Sequence, residues 1–145
     1  MTATVFEADR GQKLTDLVLA KKGENRMGKY VDGFLLPIKA ENIDKYTEIA
    51  QKAGEIWKEH GALEYIEAAA DDLEHEKMVS FVKSADAQEG ETVIFAFIVF
   101  ESKEERDRIN ALVMADERLK ELMSCDKTFD YTRMAYGGFT TLVNL

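Results

Sequence analysis

The stretch Glu91-Thr92-Val93-Ile94-Phe95-Ala96-Phe97-Ile98-Val99-Phe100 decides the fold. Successive side chains of an extended strand point to opposite faces, so Val93, Phe95, Phe97 and Val99 share one face and Ile94, Ala96, Ile98 and Phe100 the other. A strand with one wet face alternates apolar with polar residues; this one does not, and both its faces must be covered. What can cover them is read from the neighbouring sequence.

Downstream, Ser102-Lys103-Glu104-Glu105 matches a capping box, and Ile109, Leu112 and Val113 follow at helical spacing. Asp116 is placed to cap a further short helix carrying Leu119, Leu122 and Met123. Upstream, Ser84 to Gly90 is a polar turn and Met78 to Lys83 reads as a strand, which predicts a hairpin with the two-faced strand. Earlier still, Tyr30 to Ile38 is a strand with Gly33 inside it and Pro37 closing it. From Ala40 to His60 the period becomes helical, with Ile43, Tyr46, Ile49, Ala50, Ala53, Ile56, Trp57 and His60 on one stripe and Gly61 as its cap. Ala62 to Ala70 reads as a strand, Asp71 to Glu76 as an acidic loop, and Arg133 to Val143, with Gly137-Gly138 in its middle, as the last strand.

Two strand-helix-strand halves with short connections predict an α+β fold, a ferredoxin-like antiparallel sheet of five strands with the two main helices on one face. The other face carries one complete set from the two-faced strand, with members of the Phe34, Leu36, Tyr136 and Phe139 sets. That is too apolar for water, and a homodimer burying sheet on sheet is the simplest cover.

Composition sets the remaining bounds. A chain of 145 residues, 46% hydrophobic and 32% charged, suits one globular domain. Its net charge of -9, with no basic cluster, opposes nucleic acid and anionic membranes as partners. Residues 27–145 hold that acidity, with 14 basic against 24 acidic residues, whereas residues 1–26 hold 5 against 4. Residues 1–26 read as a mobile N-terminal extension in which Leu14, Leu17 and Val18 allow a short helix, and 27–145 as the domain. The longest apolar stretch near the N-terminus, Leu17 to Ala20, is too short for a secretory signal, no segment has the length of a membrane span, and the single Cys125 excludes an internal disulfide framework. A reducing cytoplasm is the expected setting.

Four strings, Tyr30-Val31-Asp32-Gly33-Phe34, Trp57-Lys58-Glu59-His60-Gly61-Ala62-Leu63-Glu64-Tyr65, Val113-Met114-Ala115-Asp116-Glu117-Arg118-Leu119 and Met134-Ala135-Tyr136-Gly137-Gly138-Phe139, occur in that order. Over Met27 to Val143 the chain resembles the YbaA-like family of uncharacterised bacterial proteins, with Glu117 standing where that pattern expects proline. The resemblance implies a dimeric α-β barrel. It brings no activity and no catalytic residues.

The candidate site residues come from the residues themselves. His60 prolongs the helical stripe to a C-terminus, as a general base or as a cap. Asp32 sits in the middle of an apolar strand, where an unpaired carboxylate is costly; it is either a site or an acid that faces solvent or pairs across the dimer with a residue such as Arg133. Trp57, Tyr65 and Tyr136 are candidate ligand-binding walls, or ordinary aromatic core. The Asp71 to Glu76 segment matches no calcium or zinc spacing, Cys125 has only Lys127 as a basic neighbour, and no phosphate loop or nucleophile elbow occurs, so no metal and no cofactor are expected. Three functions remain open. One is binding of a small, partly apolar molecule between sheet and helices. Another is cofactor-independent monooxygenase or isomerase chemistry on a small aromatic or polyketide-like substrate, with His60 as base and Asp32 orienting it, and the third is a purely structural interaction module.

Overall fold

The apolar run folds as β3 (Glu91–Phe100), hydrogen-bonded along both edges inside a four-stranded antiparallel sheet. The computed structural model describes residues 28–125 and 127–145; the N-terminal extension expected for residues 1–26 lies outside them. β1 (Tyr30–Lys39) pairs with β3 along its full length, with Asp32 opposite Ile98 and Phe34 opposite Ala96. β2 (Glu64–Ala69) takes the other edge of β3, with Tyr65 opposite Ile98 and Glu67 opposite Ala96. β4 (Ala135–Thr140) closes the sheet against β1, with Tyr136 opposite Phe34. The strand order β2-β3-β1-β4 is the ferredoxin-like order expected from the two halves.

Two helices lie over one sheet face. α1 (Ile43–His60) follows a 3-10 turn at Ala40–Asn42 and buries Tyr46, Ala50, Ala53 and Ile56. It ends at Gly61, whose φ of 119° lies in the left-handed region that an L side chain resists; the Gly61 N–H donates to Lys58 O at 3.1 Å. After the short α2 (Phe81–Ser84), α3 (Lys103–Ala115) starts at Ser102, whose hydroxyl accepts the Glu105 N–H at 3.1 Å. Only that half of the expected capping box forms, because the Glu105 carboxylate turns to Arg108 instead, at 3.0 and 2.7 Å. α3 is charged over most of its surface and docks through Ile109 and Val113, both fully buried with Phe100 and Ile98; each contributes about 1.5–3 kcal/mol. α4 (Glu117–Cys125) starts where Asp116 Oδ1 accepts the Arg118 N–H at 3.0 Å. Among the described residues no helix is long and apolar enough to cross a membrane.

Two expectations are corrected. Met78 to Lys83 is not a strand and makes no hairpin with β3; β2 occupies that edge, leaving four strands rather than five. Ser80 explains the difference, since its hydroxyl accepts the Lys83 N–H at 3.1 Å and starts the single helical turn of α2. Phe34, Leu36 and Tyr136 alternate onto the helix-covered face, so of the sets expected on the open face only that of Phe139 is there. The open face is nevertheless apolar. Val31, Leu35, Phe95, Phe97 and Val99 share it with Ile66 and Phe139, the last 60% exposed.

Candidate functional site

Under the helices the core does not close. Ala50 and Ala53 on α1 and Ala96 on β3 line the same space, and three methyl groups leave a cavity of about 380 Å³ bordered by both buried clusters of the core. Its walls are mostly apolar and aromatic: Phe34, Trp57, Tyr65, Phe129, Met134 and Tyr136 among them. That size and lining fall within the range of small-ligand sites.

Two polar stations interrupt the apolar wall. At the first, Asp32 is 1% exposed, held on β1 by the strand's own alternation. Asn110 Nδ2 donates to Asp32 Oδ2 at 3.1 Å, and Trp57 Nε1 donates to Asn110 Oδ1 at 2.9 Å, so one amide couples the indole to the carboxylate. Asp32 Oδ1 has no hydrogen-bond partner among the described residues; its countercharge is Arg106 Nη1, 3.4 Å away. Arg106 lies one helical turn before Asn110 and stacks 4.8 Å over the Tyr30 ring. It also donates to Tyr136 Oη at 2.9 Å and to Tyr30 Oη at 3.2 Å. Burial first, then the charge of Asp32, raises the pKa of the Tyr136 hydroxyl.

At the second station, Glu67 on β2 accepts from Tyr46 Oη at 2.6 Å and from Tyr65 Oη at 2.8 Å. No basic side chain pairs with it among the described residues. Burial raises the Glu67 pKa above its ordinary value, against the two hydroxyls that favour the anion. Burial, followed by the Glu67 charge, also raises that of Tyr65. Tyr65 reaches this position because residue 54 is glycine: a Cβ there would stand 2.5 Å from the Tyr65 ring.

A raised carboxylate pKa fixes the sign of a pH effect. Between the ordinary value of 4.5 and the higher folded value, the native state binds more protons than the unfolded chain, so this group's contribution to stability falls as pH rises through that window. Glu67→Gln keeps a hydrogen-bonding side chain without the charge. Its melting temperature relative to the parent should rise from pH 4.5 towards neutrality, measured by calorimetry at several pH values; a constant difference would contradict the buried charge.

The structure thus brings Asp32, Trp57, Tyr65 and Tyr136 around one cavity and places His60 elsewhere. His60 Nε2 lies 3.0 Å from Asp116 Oδ2 at the α1–α4 junction, beside the Arg118–Glu59 ion pair at 2.7 Å. Hydrogen bonds from Arg118 and His60 hold the Asp116 carboxyl well below its usual range. His60 therefore has Asp116 as its acidic partner, and Asp32 has Arg106. Within the chain, Arg133 makes a two-pronged pair with Glu91 at 2.8 Å on each arm. Tyr46, Glu67, Arg106 and Asn110 were not singled out as site residues. Glu67 carried a signal, since it shares a strand face with Tyr65; so did Arg106 and Asn110, four residues apart beside the buried Ile109. Among the described residues no group of three His, Cys, Asp or Glu side chains is placed to hold a metal ion.

Comparison with known proteins gives the same fold and no activity. The chain is 41% identical over 116 residues, 80% of its length, to the uncharacterized protein YbaA of Escherichia coli strain K12, covering 98% of that protein. YbaA of Shigella flexneri matches to the same extent. Among solved structures it resembles a variant of SnoaB, a cofactor-independent oxygenase from Streptomyces nogalater, with a TM-score of 0.53 over 81% of this chain and 96% of that one, at 9% identity. A NIPSNAP family protein from Agrobacterium tumefaciens aligns with a TM-score of 0.51 over 81% and 90%, at 17% identity. Both are ferredoxin-like folds of the dimeric α-β barrel kind. Residues 29–131 match the family described as protein of unknown function DUF1428, and with the YbaA identity this shows that the chain belongs to that family.

Proposed function

We propose that the chain binds a small, flat, largely apolar molecule in the cavity between sheet and helices, and does so as a homodimer whose open sheet faces cover each other. One observation carries the binding reading: an aromatic cavity of about 380 Å³ is lined by a fully buried carboxylate whose Oδ1 faces Arg106 at 3.4 Å but accepts no hydrogen bond among the described residues. A buried acceptor without a partner costs about 1–3 kcal/mol, which a ligand hydroxyl or N–H would offset. The dimer reading rests on the open face, where Phe95, Phe139 and Ile66 stand 47%, 60% and 41% exposed. The single cysteine favours a reducing compartment, the cytoplasm.

The same oxygen favours a second reading, in which Asp32 accepts a proton from the bound molecule. SnoaB, which shares the fold, is described as a cofactor-independent oxygenase, and in this second reading substrate deprotonation would fall to Asp32. Asn110 and Arg106 would hold the carboxylate in place, and Trp57 would orient Asn110. Native mass spectrometry of protein purified from its own cells separates occupancy from an empty shell: a discrete mass carried by the dimer and released on denaturation supports a binding site, whereas bare polypeptide opposes it.

A further inference from the structure

The two polar stations are not equivalent. Asp32 has Arg106 as its countercharge, while Glu67 has none among the described residues and is fixed by the hydroxyls of Tyr46 and Tyr65. Among the described residues, the side chains lining the cavity include no lysine, arginine or histidine. Most donors nearest the stations are already engaged, Trp57 with Asn110, Asn110 with Asp32, and both tyrosines with Glu67, and the Tyr136 hydroxyl beside Asp32 is held by Arg106. Such a wall offers lone pairs and negative charge, and it rejects a carboxylate or phosphate. The rings of Tyr46, Tyr65 and Trp57 add the negative faces that attract a desolvated cation, and the chain's net charge of -9 draws cations towards it.

We propose that the cavity selects an organic cation, a protonated amine on a flat apolar body, with its ammonium at Glu67 between Tyr46 and Tyr65 and its body extending towards Asp32. Glu67 and Asp32 stand on β2 and β1 with β3 between them, about 12 Å apart at Cα from strand spacing and rise, which suits a body of two fused rings. This inference rests on the cavity being a binding site, and its test is built so that the two can fail separately.

Trp57 is the only tryptophan of the chain and lines the cavity, so its indole N–H resonance reports occupancy directly. Four probes of one shape, naphthylmethylamine, naphthol, methoxynaphthalene and naphthoate, are titrated against the full-length protein. The amine should bind at least about tenfold tighter than naphthol or methoxynaphthalene, and naphthoate weakest of all. In Glu67→Gln the preference for the amine should disappear while the neutral probes still shift the indole signal. Equal or tighter binding of naphthol, methoxynaphthalene or naphthoate would overturn the cation assignment and leave the cavity reading standing. No indole shift with any probe would overturn both.

Discussion

Phe97→Asp should turn a dimer into monomers, or into protein that no longer stays in solution. β3 carries Val93, Phe95, Phe97 and Val99 on the face opposite α1 and α3, flanked by Val31 and Leu35 of β1, Ile66 of β2 and Phe139 of β4. The chain itself covers one end of this face, where Val93 is buried and Phe81 of α2 packs on the Phe95 ring at 6.1 Å between centroids, and leaves Phe95 and Phe139 exposed. In a two-fold dimer each substitution appears twice, and two unpaired carboxylates buried in an apolar interface cost several kcal/mol in affinity. Sedimentation of Phe95→Asp and Phe97→Asp reads the outcome; a soluble dimer from both variants would rule out sheet-on-sheet association.

Asp32→Ala should lower stability by about 3 kcal/mol, equivalent to a fall of about 10 °C in melting temperature for a chain of this size. The loss comes from what is left behind. Arg106, whose side chain is 16% exposed, keeps only the exposed Asp107 at 3.0 Å as its countercharge, and Asn110 Nδ2 loses its acceptor. The double variant Asp32→Leu/Arg106→Met removes both charges and should recover a large part of the loss, a coupling that two independent sites would not show. Calorimetry of the parent, the two single variants and the double variant gives this directly; a fall below about 1 kcal/mol for Asp32→Ala would mean that the pair is solvated.

The sheet was legible because β3 is apolar on both faces, a pattern with few solutions, and because the helix stripe ends at a glycine with the geometry a cap needs. Met78 to Lys83 was not legible by alternation alone. Six residues fit a strand and a helical turn alike, and the deciding signal was the Ser80 hydroxyl three residues before Lys83. Asp32, Trp57, Tyr65 and Tyr136 could be placed around one space because strand alternation and helix period fix which face each occupies. His60 shows where that logic stops: at the end of α1 its nearest acid comes from the α3–α4 junction, 56 residues away in sequence, which no local period encodes. Glu67 is not legible from its strand because acids on edge strands are usually solvated; the tertiary approach of Tyr46, with Tyr65 beside it, is what makes it a half-buried group.

The central claim is that the cavity is a ligand site, and comparison of the parent with Ala96→Leu tests it most directly. Ala96 is buried on the cavity floor, so the larger side chain grows into the space a ligand would take. Native mass spectrometry of both proteins purified from their own cells should show the parent dimer with a discrete added mass that denaturation releases, and the variant dimer without it. Dimers of bare polypeptide mass in both, or the same added mass in both, would contradict the account.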